Sequence, residues 1–113
     1  MAEAFANHYG SDVMRASSAG LAPAAALSAF TRKVMLEKNV DIGNHLPRSL
    51  HELDIRNIDM IVNMSGYAIP GIQSLDWLVA DPFGGPIEGY RAARDRIELR
   101  VMNLILKMRT GKI

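Results

Sequence analysis

The residues best placed to do chemistry sit in Leu-Asp-Trp-Leu-Val-Ala-Asp-Pro-Phe-Gly-Gly, Leu75 to Gly85. Leu75, Trp77, Leu78, Val79 and Ala80 form an apolar run that reads as a short buried strand. Pro82 ends it, because proline has no N–H to give to a ladder. Gly84 and Gly85 let the backbone turn, and Pro86 suits the first turn of a long helix. In open α/β sheets the ligand crevice lies just beyond the carboxyl ends of the strands. A carboxylate and an aromatic ring, Asp81 and Phe83, therefore stand where a site would be. The plain alternative makes Asp81 a turn residue. His45 and Arg48 are within reach of a ligand in a polar connection; their plain alternatives are a loop hydrogen bond and a solvated cation. Ser18 reads most simply as a turn hydroxyl. No nucleophile–base pair stands out.

Composition narrows the chemistry. The chain has 113 residues, 49% of them hydrophobic, and a net charge of +1. That length predicts a single domain over 1–113 with a modest core. No block of like charge points to nucleic acid or to a membrane surface. No apolar run reaches membrane-spanning length and the N-terminus does not read as a signal peptide, so a cytoplasmic protein is expected. Cysteine is absent, which rules out disulfides, a thiolate nucleophile and a Cys-ligated metal. His8, His45 and His51 lack metal-ligand spacing, and neither a metal nor another cofactor is expected.

The elements that must position these residues follow in order. Ala2, Phe5, Ala6 and Tyr9 have helical spacing, closed by Gly10. Asp12 to Ser17 reads as a short strand, and Ser17 to Gly20 as a turn. Pro23 opens a second helix, apolar at Leu27, Phe30, Val34 and Met35, that ends around Asn39. Val40 to Leu50 is a polar connection, and the capping-box spacing of Ser49 and Glu52 predicts a short helix over Leu50 to Arg56. Ile58 to Met64 is an apolar run suited to a parallel strand covered on both faces. The loop Ser65 to Gly71 and the Leu75–Ala80 strand follow. In the last helix, Pro86 to Arg109, Ile87, Tyr90, Ile97, Val101, Leu104 and Met108 step by threes, fours and sevens. Arg91 with Asp95 and Arg94 with Glu98 have i,i+4 spacing on a solvated face, and Met60, Met64, Met102 and Met108 read as core filler. This alternation predicts an α/β fold with a small, mainly parallel sheet flanked by helices.

Several runs resemble one family in the right order. They are Met-Ala-Glu-Ala-Phe-Ala at the front, Ser18-Ala19-Gly20, Asp41-Ile42-Gly43-Asn44-His45 with Ser49-Leu50, and Trp77 with Asp81-Pro82-Phe83-Gly84. Tyr90-Arg91, Arg94-Asp95 and Ile97 fit as well. The family is the low-molecular-weight protein-tyrosine phosphatases, with the thioredoxin-coupled arsenate reductases that share their fold, and the resemblance covers almost the whole chain. It implies a phosphotyrosine phosphatase I-like three-layer fold. It also implies phosphate-monoester hydrolysis through a cysteinyl-phosphate intermediate, with a Cys-x5-Arg-Ser loop cradling the oxyanion at a helix N-terminus. On the same resemblance Asp81 matches the acid that protonates the leaving phenolate and later activates water. Phe83 looks like the aromatic residue lining the cleft, and Ser18 joins it among the substrate-binding residues.

This sequence departs from the family at its front. Members carry a strand and Cys-x5-Arg-Ser just before Met-Ala-Glu-Ala, whereas this sequence begins at that Met. The loop that bears resolving cysteines in the reductase branch is Ser-Gly-Tyr-Ala-Ile-Pro-Gly here. The expectation is a phosphatase-like chain that is inactive as it stands, with a non-catalytic binding module or an arsenate-reductase-like relative as alternatives. Its expected partner is a phosphorylated protein or small phosphate ester, given an intact family site. A homodimer, by edge pairing or swapping, is expected because the first strand of the family would lie between Asp12–Ser17 and Ile58–Met64.

Overall fold

The computed structural model describes residues 1–20, 28–43, 45, 47–50 and 54–113. Among the described residues three α-helices carry the core: α1 (Ala2–Tyr9), α2 (Ala29–Leu36) and α3 (Ile87–Arg109). Two short strands, β1 (Val62–Asn63) and β2 (Leu75–Asp76), pair in parallel with Val62 opposite Leu75 and Asn63 opposite Asp76. A 3-10 turn at Ile55–Asn57 precedes β1. A parallel bridge between Gly20 and Ser49 adds a second, separate piece of ladder. The outcome is the α/β arrangement expected, a small parallel sheet with flanking helices.

α3 is the element against which the others pack. Its stripe of Tyr90, Ala93, Ile97, Val101, Leu104 and Ile105 is buried, the 3-and-4 spacing of a helix that faces a core along one side. Phe5 and Ala6 of α1, Met35 of α2, Val40 and Trp77 complete the core cluster. The chain leaves α2 and α3 through left-handed residues. Asn39 has φ +58, with Val40 N–H donating to Met35 O at 3.1 Å and Asn39 N–H to Leu36 O at 2.9 Å. Gly111 repeats that pattern after α3, through Lys112 to Lys107 and Gly111 to Met108. These paired bonds satisfy carbonyls that a helix end otherwise strands.

Several expectations need correction. Asp12–Ser17 is no strand. Val13 and Met14 N–H turn back onto Gly10 O at 3.0 Å. Ala16 is then held by the Asn7 side chain, which accepts from its N–H and donates to its carbonyl, both at 2.9 Å. An amide side chain thus takes the place of a neighbouring strand. The Ile58–Met64 and Leu75–Ala80 strands shrink to two residues each. Leu75, Leu78 and Met64 are exposed, so neither strand is covered on both faces. Met102 is likewise exposed, while Met60 and Met108 pack against the core. Phe30 is exposed too, its ring edge-on to Tyr90 at 5.4 Å. The helix start at Pro23, and the Glu52 half of the capping box, lie outside the described residues.

The charges of α3 also differ from the i,i+4 reading. Arg94 is buried, at 8% exposure. Its guanidinium donates to Val34 O at 3.0 Å and to Glu37 at 2.6 Å, and it reaches Asp95 rather than Glu98. Arg91 pairs with Glu37 at 2.7 Å and with Glu88. Glu98 instead accepts from Tyr9 Oη at 3.0 Å and faces Lys38 at 3.2 Å. Glu37 and Glu98 thus tie α3 to the other helices, which local sequence spacing does not encode.

Candidate active site

Asp81 lies five residues beyond the end of β2, on the loop that leads into α3. Trp77 fixes the start of that loop. It is buried, and its N–H donates to Asn63 O at 3.0 Å, extending the ladder one residue past β2. Asp81 Oδ1 then accepts from Phe83 N–H at 3.0 Å, and Gly85 N–H closes the turn on Pro82 O at 3.0 Å. This is the Asx-turn chemistry of an aspartate before proline. It commits one carboxylate oxygen and leaves Oδ2 without a hydrogen bond among the described residues. The turn role and an acid role are compatible in one side chain.

Asp81 borders a hollow of about 390 Å³. One wall is Leu78 to Pro82, another is Met64, Ser65 and Gly66, and the floor is Ala93 and Ile97 of α3. Ser18 borders a different hollow, of about 560 Å³, together with Glu3, His8, Asp41, His45 and Arg48. Met1, at the start of α1, lines both. The three residues singled out from the sequence are therefore not gathered in one cleft. Asp81 stands in one hollow and Ser18 in the other. Phe83, 81% exposed, projects from the turn and lines neither.

His45 does more than bond to a loop backbone. Its N–H donates to Ile42 O at 3.0 Å, but its ring Nδ1 faces Glu3 Oε2 at 3.2 Å, tying the polar connection to α1. Arg48 is exposed, as its plain reading had it, while its carbonyl accepts from Gly20 N–H at 2.9 Å. Among the described residues no group of three or more His, Cys, Asp or Glu side chains is disposed to hold a metal ion.

Asn63 is the residue that sequence reasoning missed. It is buried at the end of β1. Its Oδ1 accepts from Ser65 N–H at 2.9 Å and from Ser65 Oγ at 2.7 Å, and its Nδ2 donates to Tyr67 O at 2.7 Å. Its main-chain carbonyl holds Trp77, so Asn63 sets two walls of the Asp81 hollow at once. The signal was an Asn two residues before a Ser-Gly pair, the pattern of a side chain that bonds the backbone ahead of it.

A parallel sheet with helices on it, and an acid-bearing turn beyond the carboxyl end of a strand, define a class of α/β proteins that place their sites at strand ends. Within that class the chain belongs to the low molecular weight phosphotyrosine protein phosphatase family, which matches residues 1–112. A protein-arginine-phosphatase of Geobacillus stearothermophilus is 51% identical over 39 residues, 34% of this chain and 26% of that protein. That match spans about a quarter of the relative's length. A glutaredoxin arsenate reductase of Synechocystis sp. is 26% identical over 96% of this chain and 87% of its own length. Among solved structures, an arsenate reductase in the phosphate binding state superposes with a TM-score of 0.85 at 25% identity. That superposition covers 95% of this chain and 86% of the other. Phosphatase-like function, with arsenate reduction as the related activity, is thus the functional frame. Among the described residues no helix is long and apolar enough to cross a membrane.

Proposed function

We propose that this chain supplies the acid and substrate-facing part of a phosphate-monoester hydrolase site, with Asp81 as proton donor. The observation that carries this reading is the Asp81–Phe83 turn, which leaves one carboxylate oxygen free at the edge of a hollow, in a chain of phosphatase family. Phe83 is read as a ring for an aromatic leaving group, and Ser18 as a substrate hydroxyl contributed from the neighbouring hollow. The substrate class is a phosphorylated protein or small phosphate ester, met in the cytoplasm.

The 113 residues contain no cysteine, so on this reading they cannot form a cysteinyl-phosphate and do not turn over alone. General acid catalysis contributes roughly 10²–10⁴-fold, far below the ~10²¹-fold that phosphate-monoester hydrolysis demands. Purified chain incubated with an aryl phosphate is expected to release no phenol above buffer. Extending it at the N-terminus with a strand and Cys-x5-Arg-Ser is expected to give turnover. Asp81→Asn should then depress that turnover most for poor leaving groups, which need the proton most, and Phe83→Ala should weaken binding of aromatic substrates. Turnover by the unextended chain that survives Asp81→Asn would overturn the assignment.

A second reading, a phosphate-responsive binding module, is favoured by the same absence of cysteine. Titration of the chain with inorganic phosphate separates the two. Binding at either hollow without catalysis by the extended chain supports the module. Self-association is the finer partner reading. Val62 turns its N–H and C=O away from β2, and no described residue bonds to them. Such an edge invites pairing with a second copy. Light scattering across a concentration series is expected to show a dimer, and a monomer throughout would remove this reading.

A further inference from the structure

The solvent side of α3 carries an apolar stripe that the fold does not use. Leu99 and Leu106 are 64% and 61% exposed, and Met102 between them is exposed too. Single exposed apolar side chains are ordinary. Three at i, i+3 and i+7 on one helix form a face of the kind that meets a second helix.

The unpaired charges beside this face are one-sided, because Arg91 and Arg109 on the other flank are held by Glu37 and Asp12. At about 100° per residue, Arg96, Lys107 and Arg100 fall along one flank of the stripe, roughly 60–100° round from Leu99. All three are exposed, and none is in an ion pair among the described residues. The carboxylates nearby are already committed, Asp95 to Arg94 at 2.9 Å and Glu98 to Tyr9 and Lys38. The face therefore offers apolar area with a ridge of unneutralised positive charge along it.

We propose that this face docks an acidic amphipathic helix of a partner protein. The partner's apolar side chains would cover Leu99, Met102 and Leu106, and its carboxylates would run along Arg96, Arg100 and Lys107. Charge complementarity selects this occupant over a second copy. Two α3 helices packed antiparallel about a two-fold axis bring the same flank of each together, so cation ridge meets cation ridge. A parallel pair sets the ridge against the Met102 flank, whose Glu98 is in use. A lipid surface fits less well. The stripe is only two turns long, carries no aromatic anchor, and has its unpaired cations on one side instead of both.

The test uses the full 113-residue chain and a synthetic helical peptide with Leu at heptad a and d positions and Glu along the flanks. A second peptide with Lys in place of Glu is the control. Titration is followed by ¹H–¹⁵N chemical shifts. The Glu peptide is expected to bind, to perturb Arg96 to Lys107, and to bind about tenfold more tightly than the Lys peptide at low salt. Leu99→Gln with Leu106→Gln should weaken it at least about tenfold, as should Arg96→Gln with Arg100→Gln and Lys107→Gln. All five side chains are exposed, so circular dichroism and the melting temperature should stay unchanged in both variants. Equal binding of the two peptides, binding indifferent to both variants, or no binding at all would overturn the proposal. So would self-association that the Leu99/Leu106 variant abolishes, or binding of anionic vesicles through these residues in place of the peptide.

Discussion

Asn63 shows how much one side chain organises here. Its amide bonds Ser65 and Tyr67 while its carbonyl bonds Trp77, so the two loops bordering Asp81 share an anchor. Asn63→Ala removes the side-chain bonds to Ser65 and to the Tyr67 carbonyl, both on exposed residues that water can reach. A hydrogen bond of that kind contributes about 0.5–1.5 kcal/mol net. The expected outcome is a lowered urea midpoint with unchanged slope, together with earlier hydrogen exchange in residues 64–67 than elsewhere. Asp81→Asn makes a useful contrast. Asparagine keeps an Oδ1 that accepts from Phe83 N–H, so the turn survives and stability should stay within about 0.5 kcal/mol of the parent. Loss of activity in an extended chain carrying that change would then report on the proton alone; a large drop in stability would show that the charge holds the turn. Asp81 was visible in the sequence because Asp-Pro after an apolar run is a local pattern. Asn63 was not, because reading Ile58–Met64 as one apolar run hides an amide whose partners come after the run ends. Arg94 was misread for a related reason. Its partners are Val34 and Glu37 on another helix, and spacing along α3 pointed to Glu98.

At the scale of elements, the helices were legible and the strands were not. α3 announces itself by Tyr90, Ile97, Val101 and Leu104, which keep helical period and are buried, a signal that needs no partner to be read. A strand's extent depends on what lies beside it. Ile58–Met64 and Leu75–Ala80 have the composition of covered strands, but only Val62–Asn63 and Leu75–Asp76 find a ladder. At Asp12–Ser17 the Asn7 side chain takes up the backbone groups of Ala16. Gly10, at the end of α1, was legible as a helix stop, although the structure gives it a different task. Its φ is −127, so no left-handed conformation requires glycine. A Cβ there would sit 2.7 Å from both Cγ1 and Cδ1 of Ile105, which is fully buried. Gly10→Ala lowers the entropy of the unfolded chain, a gain of about 0.4–1 kcal/mol. Overpacking a closed core costs about 1–3 kcal/mol, so the clash wins and the variant should be destabilised. Ile105→Val removes Cδ1, and in that background the Gly10→Ala penalty should shrink. Additive losses in the double mutant would mean that the close approach of α1 to α3 is not what glycine serves.

The whole molecule is joined by ion pairs that cross between helices, and these make its stability depend on pH. Glu37, at the end of α2, accepts from Arg91 and Arg94 of α3. Hydrogen bonding to Arg91, followed by Arg94, holds its carboxyl down at about 2, from an ordinary 4.5. Asp12 is held below its usual range in the same direction by Arg109, 97 residues away in sequence. In the unfolded chain Glu37 takes up a proton near pH 4.5, whereas in the folded chain it does so only near pH 2. Between those values the unfolded state binds more protons, so stability rises with pH across the window. The Glu37 contribution is fully present above about pH 4.5 and is lost as pH falls through about 2. Glu37→Gln removes that dependence, although it keeps a side-chain oxygen to accept from Arg91. Denaturant midpoints measured from pH 7 down to 2 should show the variant less stable than the parent at neutral pH. The two curves should converge toward the acid end, the variant with the shallower slope below pH 4.5. Parallel curves across the whole range would mean that Glu37 titrates alike in the folded and unfolded chain, and that α2 is held on α3 by Val34, Met35 and the Arg94–Val34 bond without help from the carboxylate.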